Sequence, residues 1–274
     1  MLVCIAGKNN IAVDALEYMI ENGKHNEYEL CVIPNSGVVE DDGWQKSLIK
    51  AAKKHDIPIV SLTDLYEASD LVFISLQYEK IIKPELFKSK KLYNMHFAPL
   101  PKYKGYYTSI LPILNGETQS GVTIHEIDKG IDTGDIISQR MFPIGINETE
   151  RDLYFNYMMY GLELFKETVG RLLTGDYKAR PQGSMGATIA YARDLDYKNP
   201  AIDLKRTSYE IHNRLRAFIF PEFQLPKANG YSIVKSVLTD ERISPGVFNV
   251  CEEYIEMSGI DGYMIKAFYQ KERR

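Results

Sequence analysis

Over the first half of the chain, apolar residues come in short unbroken runs separated by stretches with helical spacing. Leu2 to Ala6 and Glu29 to Ile33 are two such runs, and between them Ile11, Ala15, Tyr18 and Met19 recur on one helix face. Trp44 to His55 predicts a second helix, leading into Ile57-Pro58-Ile59-Val60. A short helix then precedes Asp70 to Leu76, and Lys91 to His96 is the next strand. Runs that stay apolar at every position, with β-branched residues, suit strands buried on both faces. Their alternation with helices predicts a parallel sheet covered on both sides. Gly121 to Ile127 and Asp135 to Pro143 read as a strand pair, and Glu148 to Leu173 as one long helix. Residues 1–180 are therefore expected to form a doubly wound α/β domain.

The pattern then changes. Gly175 to Arg193 is rich in Gly, Pro and small polar residues and reads as a linker. Beyond it come a helix over Ser208 to Phe218 and strands at Tyr231 to Leu238, Gly246 to Val250, Tyr254 to Met257 and Tyr263 to Phe268. Ile260-Asp261-Gly262 marks a hairpin turn. Residues 181–274 are expected to be a small, mainly β region. Its many strand edges predict packing on the first domain or pairing in a homodimer.

Composition narrows the class. The chain has 274 residues, 45% hydrophobic and 26% charged, which excludes disorder and collagen-like repetition. The formal net charge is −4; residues 181–274 carry 13 basic and 12 acidic side chains, with no basic run. A nucleic-acid partner is therefore not expected. The three cysteines, Cys4, Cys31 and Cys251, have no paired spacing, so neither a disulfide framework nor a metal site is expected. The opening residues lack the basic flank of a signal peptide, and no apolar stretch reaches the ~18 residues of a membrane span. A soluble, cytoplasmic protein with no membrane partner is the expectation.

Few residues carry chemical signals. Gly7-Lys8-Asn9-Asn10 follows the first strand, but it matches neither phosphate-loop fingerprint. Lys8 and Asn9 remain candidates for an anion at a helix N-terminus, beside the plainer reading of a strand-to-helix turn. His25 and His55 lie in polar helical surroundings and read as solvated. Asn94 and His96, two apart at the carboxyl end of a strand, point to the same face. The segment Asp128-Lys129-Gly130-Ile131-Asp132-Thr133-Gly134-Asp135 sets three carboxylates between glycines. An imidazole, an amide and a carboxylate suffice for acyl transfer to an amine: one moves the proton, one donates to the oxyanion, one orients the base. Asn and Asp at strand ends also cap turns, and spacing alone leaves both readings open.

Four segments taken together decide between them. They are Asn94-Met95-His96, the Pro99-Leu100-Pro101 loop running to Gly105, Gly121-Val122-Thr123-Ile124-His125, and Gly130-Ile131-Asp132-Thr133-Gly134-Asp135. In this order and spacing they resemble the formyl-tetrahydrofolate-dependent formyltransferases, which include enzymes acting on methionyl-tRNA, glycinamide ribonucleotide and nucleotide-linked amino sugars. The resemblance covers residues 1–180. It implies a Rossmann-like catalytic domain, 10-formyltetrahydrofolate as co-substrate, and an Asn-His-Asp triad at Asn94, His96 and Asp132. It also implies that the pterin meets backbone near Leu76, Gln77 and Tyr78 and the loop from Asp128 through Gly130 to Asp132.

The acceptor is read from the remainder. Pro34 to Gly43, where the tRNA enzymes carry a basic insertion, is acidic here. An RNA binder without phosphate-neutralising side chains lacks its main source of affinity. Ile211 to Pro221 resembles the nucleotide-sugar members, most like those acting on dTDP-linked amino sugars. Physically the segment and the turn after it offer Arg216 for a diphosphate and Phe220 and Phe223 for a base, beside the plainer reading of packing aromatics and a solvated arginine; Tyr191 and Arg193, just past the linker, and Tyr103 are further candidate contacts. The resulting expectation is N-formylation of a dTDP-linked amino-deoxysugar for lipopolysaccharide or capsule, with methionyl-tRNA or another small metabolite as the alternative acceptor.

Overall fold

The computed structural model describes residues 1–23, 28–197 and 202–270, so His25 lies outside the described residues. In chain order the elements are β1 (Leu2–Gly7), α1 (Asn9–Asn22), β2 (Glu29–Pro34), α2 (Leu48–Lys54), α3 (Leu62–Leu65), β3 (Leu71–Leu76), β4 (Lys91–His96), β5 (Lys104–Gly105), α4 (Leu111–Leu114), β6 (Gln119–Glu126), β7 (Ile136–Pro143), α5 (Glu150–Thr174) and β8 (Ile189–Ala190). They continue with α6 (Ser208–Arg216), β9 (Lys227–Ala228), β10 (Tyr231–Arg242), β11 (Phe248–Val250), β12 (Tyr254–Ser258) and β13 (Tyr263–Tyr269). The chain divides into two compact units. The first holds Met1–Gly105, Gly121–Met141 and Asn156–Ile189; the second holds Tyr106–Ser120, Phe142–Phe155 and Ala190–Arg274. Both units are discontinuous in sequence, where the hydropathy pattern suggested a single cut near residue 180.

The first unit is built on a six-stranded sheet of order β2-β1-β3-β4-β6-β7. β1 runs parallel to β2 and β3, β3 parallel to β4, and β6 antiparallel to β4. This is the α/β sheet the alternating pattern calls for, with a mixed edge. One face packs Cys4, Ala6, Phe73 and Leu92 against Leu65 and Phe87. On the other, Tyr18 of α1 meets Phe165 of α5 edge-on at 6.3 Å, and Gly161 of α5 lies so close to Met95 that a Cβ would stand 2.9 Å from its sulfur. Fully burying a side chain such as Phe73 stabilises the fold by about 2–3 kcal/mol. The register Gly7 to Leu76 and Leu76 to Met95 aligns the carboxyl ends of β1, β3 and β4, where open α/β sheets place ligands.

Two sequence expectations shrink for identifiable reasons. The helix expected from Trp44 begins only at Leu48, because the Ser47 hydroxyl accepts the Lys50 N–H as a cap. The run Ile57 to Val60 gives only a single parallel bridge, Val32 to Ile59, since Pro58 has no N–H to offer a ladder. His55, read as solvated, is half-buried, with its Nε2 enclosed and without a partner among the described residues. Cys4, Cys31 and Cys251 are free thiols. No helix among the described residues is long and apolar enough to cross a membrane.

The second unit carries a five-stranded sheet of order β11-β12-β13-β10-β9, antiparallel throughout. Ile233, Ile255, Met257, Ile265 and Ala267 pack on Ile211 and Leu215 of α6. Thr207 starts α6 through a capping box with Glu210. Glu150, at the start of α5, is 5% exposed; its carboxyl meets the Tyr197 hydroxyl at 3.2 Å and the Ser109 hydroxyl at 3.3 Å. Burial outweighs those hydrogen bonds and pushes its pKa up to about 8. Stability from a neutral Glu150 is therefore complete below pH ~4.5 and is lost as pH rises through about 8. Glu150→Gln should unfold later than the parent at pH 8, by on the order of 3 kcal/mol, with the gap closing by pH ~4.5. Urea titrations at the two pH values measure it; equal stability of the two proteins at pH 8 would contradict it.

Candidate active site

The geometry of the first unit's loops converges on the end of β4. Asn94 and His96 lie two residues apart there, and the antiparallel register sets His125 of β6 opposite Asn94 and Thr123 opposite His96. All four side chains share one face of the sheet. The Thr123 hydroxyl donates to the Ala98 carbonyl at 2.7 Å and accepts the Leu100 N–H at 3.2 Å, fastening the proline loop that follows His96. That loop ends at Tyr103, whose backbone adopts φ 59° and turns its carbonyl back toward the imidazole.

His96 is 8% exposed, and its two ring nitrogens have different neighbours. Nε2 lies 2.7 Å from the Tyr103 carbonyl, an acceptor, so Nε2 carries the hydrogen and donates it. Nδ1 is then the basic nitrogen, and it faces Asp132 Oδ2 at 3.4 Å. Burial is the largest influence on the ring and pushes its pKa below the ordinary imidazole value. His125 and Lys104 act in the same direction, while Asp132 and the Tyr103 carbonyl push back. Burial thus favours the neutral ring, while the Asp132 carboxylate facing Nδ1 favours a proton there.

Asp132 sits at φ 52° and is itself tightly held. Oδ2 accepts the Gly105 N–H at 2.9 Å, and Oδ1 accepts an Asn94 amide hydrogen at 3.2 Å. Burial favours its neutral form, yet His96, His125 and the Gly105 N–H outweigh burial and hold the carboxyl well below the usual carboxylate range. Gly134 permits the loop: a Cβ there would fall 1.8 Å from the Glu126 carbonyl. Asn94 uses both amide hydrogens, one on Asp132 and one on His125 Nε2 at 3.1 Å. His125 can accept because its Nδ1 donates to the Glu126 carbonyl at 2.7 Å. In the sequence His125 carries no role of its own, and its position opposite Asn94 in the strand pairing is what brings it to the site. Gln182 lies inside the stretch that reads as a linker, and nothing in the sequence pattern marks it. Its amide nitrogen donates to the Asp132 and Gly134 carbonyls at 2.9 and 2.8 Å.

The expected co-substrate contacts are at the carboxyl end of β3 and in the Asp132 loop. Leu76 is buried, and its carbonyl accepts the Lys8 N–H at 3.3 Å. Gln77, at φ 60°, accepts the Asn9 side-chain amide at 3.3 Å, and its own carbonyl accepts the Asn35 amide at 3.0 Å. Tyr78 packs edge-on to Phe73 at 6.4 Å. Asp128 closes its own loop, accepting the Gly130 N–H at 3.0 Å and the Thr133 hydroxyl at 2.7 Å. Lys8 and Asn9 stand at the N-terminus of α1.

Several expected substrate contacts are placed otherwise than the sequence suggested. Arg216 is 1% exposed; it donates to the Gly145 and Glu148 carbonyls at 3.0 and 2.8 Å and to Asn213 at 2.9 Å, so its guanidinium serves the second unit's interior rather than a diphosphate. Phe220 is buried against Tyr154 and Phe223, and the Tyr103 ring is buried as well, leaving neither aromatic face open. Tyr191, Arg193 and Phe223 are exposed, with the Arg193 guanidinium 5.3 Å from the Tyr191 ring centre. Among the described residues there is no group of acidic, histidine or cysteine side chains arranged to hold a metal ion.

Comparison with known proteins settles the family. The formyl transferase family profile matches residues 20–169, more than half of the chain. The chain belongs to the formyl transferases. In structure, this formyl transferase is similar to WlaRD, a sugar 3N-formyltransferase solved with dTDP and 5-N-formyl-THF. The identity is 47% and the TM-score 0.96, covering 100% of this chain and 99% of that one. It is similar to an N-formyltransferase from Helicobacter canadensis solved with folinic acid and dTDP-3-aminofucose, with 49% identity and a TM-score of 0.95, covering 98% of this chain and 100% of that one. By sequence it is 36% identical to the methionyl-tRNA formyltransferase of Synechococcus sp. (strain JA-3-3Ab) over 149 residues, which are 54% of this chain. The match spans about half of that relative, 46% of its length.

Proposed function

We propose that this formyl transferase moves the formyl group of 10-formyltetrahydrofolate onto the 3-amino group of a dTDP-linked amino-deoxysugar. The observation that carries this reading is the similarity, near half identity and over essentially whole chains, to two sugar N-formyltransferases solved with a folate and a dTDP species. The neutral His96 beside a charged Asp132 and the Asn94 amide supports the same chemistry. A tRNA acceptor fits less well, since residues 181–274 carry no basic run.

In this reading the sugar amine, unprotonated, attacks the formyl carbon and forms a carbon–nitrogen bond. His96 Nδ1 takes the amine proton, and Asp132 Oδ2 stabilises the imidazolium so formed. Asn94 turns one amide hydrogen from His125 to the developing oxyanion. The neutral acceptor is the weaker partner, because hydrogen bonds to charge are roughly twice as strong. The bond from the formyl carbon to the folate nitrogen then breaks, and His96 returns the proton to that nitrogen. Backbone at Leu76 and Gln77, with Tyr78 and the Asp128, Gly130 loop, holds the pterin. Lys8, Asn9, Tyr191, Arg193 and Phe223 contact the nucleotide sugar.

The product would serve a lipopolysaccharide or capsule, and the reaction would run in the cytoplasm. The first unit carries catalysis, and the second contributes acceptor contacts and a homodimer contact through its short edge strands β9 and β11. Sedimentation at micromolar concentration should give twice the chain mass, and a monomer would contradict that part. Incubation with 10-formyltetrahydrofolate and a panel of dTDP- and UDP-amino sugars, with methionyl-tRNA alongside, tests the rest by product mass. A dTDP-3-amino sugar should gain one formyl group. Asn94→Ala and His96→Ala should each cost at least ~10²-fold in kcat without loss of fold. Formylation of the tRNA alone, or near-parental turnover in either variant, would contradict the reading.

A further inference from the structure

The two groups that flank His96 both sit on strained backbone. Tyr103, which supplies the carbonyl at Nε2, has φ 59°, and Asp132, which faces Nδ1, has φ 52°. Side chains with a Cβ occupy this left-handed region only where surrounding structure holds them there. Beside the bonds already made by Gly105, Asn94 and Thr123, one stretch bonds the backbone of both loops: residues 180–189, which the sequence pattern marks as a linker. Arg180 anchors the stretch by exchanging backbone hydrogen bonds with Ile136 at 2.8 and 2.9 Å. Gln182 then clamps the carbonyls of Asp132 and Gly134 through its amide nitrogen. The Thr188 hydroxyl accepts the Tyr103 N–H at 2.7 Å, and the Thr188 carbonyl accepts the Lys104 N–H at 2.9 Å. Between these two contacts the stretch bulges outward, with Met185 93% exposed.

We propose that Gln182 and Thr188 are positioning residues: as the two ends of a strap, they hold Asp132 and the Tyr103 carbonyl against opposite nitrogens of His96 and so fix which nitrogen is the base. The proposal rests on His96 being the general base. The groups that act on the ring's charge are Asp132, His125, Lys104 and the Tyr103 carbonyl, and of these Asp132 and the carbonyl lie against its nitrogens. Of these, the two under the strap's control are the ones that favour a proton on the ring. Loosening the strap should therefore let the ring exchange tautomers and move the acid limb of kcat/KM to lower pH.

The test uses the full chain with four substitutions: Thr188→Val, Thr188→Ser, Gln182→Met and, as a control at the exposed bulge, Met185→Ala. Ring ¹⁵N signals of His96 in the free parent protein should show hydrogen on Nε2 alone. Thr188→Val and Gln182→Met should show a tautomer mixture and a kcat lowered about tenfold or more, with KM for both substrates within about threefold. Thr188→Ser, which keeps the hydroxyl, and Met185→Ala should match the parent. Hydrogen on Nδ1 in the parent would overturn the proposal. So would parental kcat in both Thr188→Val and Gln182→Met, or a lowered kcat with unchanged ring signals. If Thr188→Val fails to fold, Gln182→Met and the parent's ring signals decide. If the parent transfers no formyl group to any acceptor, the functional reading fails, and the ring signals of the free proteins decide the strap by themselves.

Discussion

A hydrogen bond from His96 Nε2 to the Tyr103 carbonyl, made inside a nearly closed site, determines what the rest of the arrangement can do. A neutral imidazole has one donor and one acceptor nitrogen, and a carbonyl can only accept. Holding the donor on Tyr103 leaves the lone pair on Nδ1, and Asp132 lies on that side. Burial favours the neutral ring, and the adjacent carboxylate favours a proton on Nδ1. A base that is neutral at rest and supported when charged is the property that transfer to an amine requires.

The sheet exists, chemically, to bring these groups within reach. Parallel pairing of β1, β3 and β4 aligns their carboxyl ends, and the antiparallel β6 sets His125 and Thr123 beside Asn94 and His96. One strand pair thus positions the amide, the imidazole and the residue that engages the amide, while glycine at 134 lets the Asp132 loop approach the Glu126 carbonyl. The second unit keeps its own polar groups inside. Arg216 satisfies backbone carbonyls, and His212 bridges the Ser236 hydroxyl and the Ile146 carbonyl.

Much of this was legible in the residues. The continuous apolar runs foretold the buried strands, and Asn94 and His96 two apart at a strand end foretold a shared face. What sequence could not supply were contacts made by backbone or across long separations. The Tyr103 carbonyl has no side-chain signature, and Gln182 reaches Asp132 from 50 residues away in a stretch whose Gly and Pro content reads as a connector. Residue type also misled at Arg216 and Phe220, because an arginine and an aromatic after a helix serve an interior as readily as a ligand.

The most direct test of the catalytic arrangement is a crystal structure of the protein with a stable formyl-folate analogue and a dTDP-3-amino sugar bound together. The sugar nitrogen should lie within about 3.2 Å of His96 Nδ1, or one water away, with the formyl oxygen in reach of the Asn94 amide. An amine held nearer Nε2, or outside hydrogen-bonding reach of the ring altogether, would contradict the assignment of His96 as the base.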